Sequence, residues 1–77
     1  MSDMTEEFAT ALRDRRIRTG ISQEELAEMA GLHRTYIGMI ERCERHPTLQ
    51  VARDLAVALG TSLTVLVRES EKRMRAR

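Results

Sequence analysis

A chain of 77 residues holds one domain with a lean core, since so short a chain hides only roughly 60–65% of its unfolded surface. Apolar residues make up 42%, too many for a disordered chain, and Phe8 and Tyr36 are the only aromatics, so the core must be aliphatic. Thirteen basic residues against twelve acidic ones leave +1, a total that argues against nucleic acid, yet Lys72 is the only lysine and arginine suits bidentate contacts to phosphate and guanine.

Helix 1 is predicted from about Thr5 to Thr19, with Phe8, Leu12 and Ile17 at near-helical spacing and Ala9 and Ala11 beside them. Glu6 and Glu7 open it, the arginines come late, and Gly20 closes it. Helix 2 opens on Ser22-Gln23-Glu24-Glu25, a capping box with Ser22 as N-cap, and carries Leu26, Met29 and Ala30 as its apolar stripe up to Gly31. Helix 3 covers about Arg34 to Arg42, with Ile37 and Ile40 facing inward beside Leu32. Helix 4 follows Pro47 with Thr48 as N-cap, and Val51, Ala52, Leu55, Ala56 and Leu59 recur every three or four residues until Gly60. Helix 5 follows a cap at Thr61 or Ser62. No stretch alternates as a strand does, so the expected fold is all-α: five short helices, with a domain over 1–67 and a charged tail over 68–77 that extends helix 5 or frays. Within that tail Arg68, Lys72, Arg73, Arg75 and Arg77 alternate with Glu69 and Glu71 and read as a solvated helix end.

Nothing here has the apolar length of a membrane span, and the acidic N-terminus is no secretory signal. The single cysteine, Cys43, excludes a disulfide framework and a cysteine-rich zinc site. No cysteine–histidine spacing, glycine-rich phosphate loop or carboxylate pair points to catalysis, cofactor or metal. A cytoplasmic protein that is not an enzyme is the expectation.

Helix 2, Gly31-Leu32-His33 and helix 3 have the form of a helix-turn-helix. In that arrangement the first helix crosses the DNA backbone and the second enters the major groove. Such a second helix needs an apolar rear, here Ile37 and Ile40, and a short or hydrogen-bonding front, here Arg34, Thr35 and Gly38.

Ile21-Ser22-Gln23-Glu24-Glu25-Leu26-Ala27, Ala30-Gly31-Leu32 and Ile40-Glu41-Arg42 resemble the phage-repressor-type (Cro-like, xenobiotic-response-element) helix-turn-helix family over about Phe8 to Leu66. Within that family, Leu32-His33-Arg34-Thr35-Tyr36-Ile37 and Ile40-Glu41-Arg42 are most similar to the controller proteins of restriction-modification systems. The resemblance implies a DNA-binding regulator without cofactor. It places Gln23 on a phosphate, Arg34 and Thr35 on bases, and Tyr36 on the sugar-phosphate backbone or the adjacent base edge. Arg42, Arg45 and His46 fall to the flanking backbone. Arg16 and Glu41 match the family's ion pair between helices 1 and 3, and helix 5 with the end of helix 4 matches its two-fold dimer contact. Leu63 and Leu66 are then expected to serve both the core and the edge of that interface, and Val65 or Val67 to face the partner.

Two features depart from the family pattern: Cys43 and the pair Gly38-Met39. Cys43 stands where a left-handed glycine is usual, at a cost on the order of 1 kcal/mol. Gly38 and Met39 on the groove side offer no directed side-chain hydrogen bond. Gly38 there permits close backbone approach, and Met39 suits a thymine methyl. Arg13, Arg15 and Arg18 read as a solvated face. The partners expected are double-stranded DNA with a palindromic operator and a second copy of the chain, with no small-molecule ligand because no further domain follows helix 5. A plain autoregulatory repressor, and an antitoxin-like module bound to a toxin protein, are the alternatives. The second would need a large apolar patch outside the dimer face. The charge of +1 is expected to be polarised: the acids go to caps, dipoles and the ion pair, while Arg34, Arg42, Arg45 and His46 gather at helix 3.

Overall fold

The computed structural model describes residues 3–76, which form five helices: α1 (Met4–Thr19), α2 (Gln23–Ala30), α3 (Arg34–Glu41), α4 (Leu49–Ala58) and α5 (Leu63–Arg75). Met1, Ser2 and the tail's Arg77 lie outside the described residues. Local signals account for the boundaries. Asp3 caps α1 by accepting the Glu6 N–H at 2.9 Å. The capping box of α2 is complete: Ser22 Oγ accepts the Glu25 N–H at 3.0 Å, and Glu25 Oε1 accepts the Ser22 N–H at 2.9 Å. Thr48 caps α4, and of the two candidates before α5 it is Ser62 that accepts the Val65 N–H, at 3.2 Å. Gly31, at φ 70°, allows the tight turn between α2 and α3.

The aliphatic core is drawn from every helix. Phe8, Ala11 and Leu12 of α1 meet Leu26 and Ala27 of α2 and Ile37 and Ile40 of α3. Ala52, Leu55, Ala56 and Leu59 come from α4 and its cap, and Leu66 from α5. Two expected core residues face solvent instead. Ile17 is 54% exposed, because five residues after Leu12 is a rotation of about 140° off the buried face. The position four after Leu12 is Arg16, which turns inward in its place. Met29 is also exposed: α2 has eight residues and wholly buries only Leu26 and Ala27.

α5 runs unbroken to Arg75 and packs along α1. Its second half is no purely solvated end. Glu69 accepts a hydrogen bond from Arg15, and Arg73 donates to Asp14, so Arg15 leaves the solvated face expected of it. Ser70 is buried between these pairs and bonds back to the Leu66 carbonyl at 2.7 Å. No single helix among the described residues is long and apolar enough to cross a membrane.

Candidate nucleic-acid interface

α3 is held from behind and bare in front. Ile37 and Ile40 are buried, while His33, Arg34 and Thr35 at its start are exposed. Its N-cap is His33, whose Nδ1 accepts the Thr35 N–H at 3.2 Å. His33 stands immediately before the predicted helix start, the position where its capping role is legible.

A hydrogen-bonded chain sets the orientation of α3 against α1 and α2. Arg16 Nε and Nη2 donate to the two Glu41 carboxylate oxygens at 2.7 and 3.1 Å, and Arg16 Nη1 donates to the Ile21 carbonyl at 3.0 Å. Glu41 Oε1 also accepts from Gln23 Nε2 at 3.0 Å. The Glu41 side chain is only 2% exposed, so the three bonds it accepts replace its hydration. The hydrogen bond to Glu41 holds the Arg16 guanidinium above its ordinary pKa, against the opposing effect of burial. Gln23 thus spends one amide proton inside the protein, which fixes the first residue of α2 against the last of α3.

The remaining residues fall in three places. Tyr36 is half-buried and packs its ring against the core. Met39 is half-buried, and Arg42 and Arg45 are exposed after the last turn. His46 is exposed too, but it borders an apolar groove with Met4, Phe8, Leu49, Leu63 and Val67 rather than joining Arg34.

Gly38 differs from the open groove-facing position expected of it: it is buried. A Cβ placed there would lie 2.9 Å from Arg42 Nη1 and 3.6 Å from Gln23 Oε1. Side chains from both ends of the helix-turn-helix therefore cover its backbone. Arg42 also donates from Nε and Nη2 to the two Glu44 oxygens, at 2.9 and 3.1 Å. That bond pushes Arg42 above its ordinary pKa and holds the Glu44 carboxyl below the usual carboxylate range. Glu44, absent from the sequence reading, thus offsets part of the positive cluster at the end of α3.

Cys43 has φ 61°, so the left-handed turn is kept with a side chain in it. Burial, with help from the Glu6 and Asp3 charges, pushes its thiol pKa up, which makes it a poor nucleophile.

On α5, Leu66 is 0% exposed and belongs wholly to the core, which corrects its expected share in an interface edge. Leu63, Val65 and Val67 are half-buried. Leu49 at the start of α4 is 79% exposed, and Val57 near its end also faces solvent. The sequence reading missed Leu49 because the stripe of α4 explains that helix without it.

The family model described as Helix-turn-helix matches residues 12–66. The chain is 49% identical over 65 residues to control protein C.SmaI of Serratia marcescens, covering 84% of this chain and 77% of that protein. Its fold matches the wild-type restriction-modification controller protein C.Esp1396I with a TM-score of 0.90 at 27% identity, over 100% of both chains. It matches the controller protein C.AhdI from Aeromonas hydrophila with a TM-score of 0.78 at 39% identity, over 80% of this chain and 94% of that one. The chain therefore belongs to the helix-turn-helix family of DNA-binding transcription regulators, and in sequence and fold it is similar to that family's restriction-modification controller proteins.

Proposed function

We propose that this chain is a controller protein: a homodimer that binds a palindromic operator upstream of its own gene and a restriction gene and sets the timing of both. The observation that carries this reading is α3 itself, clamped at its rear through Glu41 and exposing Arg34 and Thr35 at its N-terminal end. In the bound state Arg34 and Thr35 meet base edges, and Tyr36 and Met39 line the groove. Gln23 and Arg45 lie against the backbone, with His46 at the margin, and Arg42 faces the DNA from the end of α3.

The partner copy covers Val65, Val67 and Leu63. Leu49 and Val57 support this placement, since both leave apolar surface on α4 that one copy does not bury. Regulation then follows protein concentration through dimerisation. With a near-neutral total charge, non-specific DNA affinity is modest and falls steeply with salt, so operator binding rests on the dimer and a few arginines.

Selection from a random duplex library, with sedimentation of the free protein, tests the reading. The expected result is a dimer and a two-fold symmetric consensus. A protein that enriches no sequence would overturn it.

A further inference from the structure

Gly38 stands in the middle of an eight-residue helix, where glycine is less favourable than alanine. Its backbone is not left-handed, so nothing in the main chain requires glycine there. The three atoms nearest to a Cβ at this position are Arg42 Nη1, Gln23 Oε1 and Arg42 Cζ. What the missing side chain leaves room for is the Arg42 guanidinium.

Residues 34, 38 and 42 are four apart and form one stripe of α3, headed by the exposed Arg34. Side chains on a helix lean toward its N-terminus. Arg42 does so, and its guanidinium lies one turn up the stripe, over Gly38. Glu44 fixes the rotation of the group. It accepts from Nε and Nη2, which leaves both Nη1 protons and one Nη2 proton free. The free Nη1–Nη2 edge is the fork that pairs with O6 and N7 of guanine in the major groove.

We infer that Gly38 is the seat of Arg42, and that Arg42, seated there and oriented by Glu44, reads a guanine as a second specificity-determining arginine of α3 rather than resting on the flanking backbone. The inference rests on the DNA-binding reading above and deepens it. Gly38 is a positioning residue that acts only through Arg42. A methyl at 38 displaces the far end of a flexible side chain, which costs the fold little and moves the fork out of the groove.

The test uses a duplex selected from a random library by the wild-type protein. Gly38→Ala is expected to melt no lower than wild type, and to bind that duplex on the order of tenfold more weakly. Arg42→Ala is expected to lose a similar factor, and the double variant no more than Arg42→Ala alone, because both changes remove one interaction. Arg42→Lys keeps the charge without the fork. In a repeated selection it and Gly38→Ala should both lose the preference for the same guanine. Wild-type affinity in Gly38→Ala, losses that multiply in the double variant, or an intact guanine preference in Arg42→Lys would each overturn the inference and leave the DNA-binding reading standing. A wild-type protein that enriches no duplex would bring down both.

Discussion

α3 and the α4–α5 side are both amphipathic, and their rears feed the same core, yet their outer faces differ. Outside Ile37 and Ile40, α3 presents Arg34, Thr35 and the Arg42 guanidinium. Outside Leu55 and Leu66, the other side presents Leu49 and Val57, with Leu63, Val65 and Val67 half-covered. A polar front stays solvated until a polar partner arrives. An apolar front is unfavourable in water until another apolar surface covers it. On the function proposed above, the difference matches two kinds of partner, duplex DNA for the first face and a second copy for the second. The buried network through Glu41 fixes the first face, whereas the pairs that tie α5 to α1, Arg15–Glu69 and Arg73–Asp14, are more exposed.

That contrast breaks most severely if α3 loses its clamp. Glu41→Ala leaves the Arg16 guanidinium half-desolvated without its carboxylate, and should cost about 3 kcal/mol in denaturant unfolding. Arg16→Ala should cost a similar amount, and the pair less than the sum. On the apolar side, Val67→Asp should leave the fold intact and weaken dimerisation by about 2 kcal/mol, read by sedimentation equilibrium. An unchanged dimer would remove α5 from the interface.

Arg34→Ala sharpens the polar side. It should cost about 1–3 kcal/mol of operator binding and relax the preference at one base pair per half-site, as read by repeated selection. The smallest effect belongs to neither face. Cys43→Gly relieves the left-handed backbone and should stabilise by about 0.5–1 kcal/mol in thermal melts, with operator affinity unchanged.

Much of the polar side is legible in the chain because its signals are local. The capping box lies within four residues, Gly31 marks the turn, and Arg16 and Glu41 follow from the family pattern, as does the left-handed Cys43. What the chain does not display is contact over distance. Glu69 and Arg73 read as solvated charges until α5 is laid along α1, where Arg15 and Asp14 meet them across more than fifty residues of sequence. Gly38 is a subtler case. A residue with no side chain gives no hydrophobic signal of its direction, so its burial shows only once Gln23 and Arg42 close over it. Met29 fails for a related reason: two turns of helix leave the phase of an apolar stripe poorly determined.

Hydroxyl-radical footprinting of the protein on its selected duplex tests the central claim most directly. Two α3 helices related by a two-fold should protect two symmetric half-sites centred one helical turn apart, about 34 Å, with Arg34→Ala weakening both equally. A single asymmetric footprint, or protection that Arg34→Ala leaves unchanged, would contradict the assignment of α3 to the groove and of α5 to the partner.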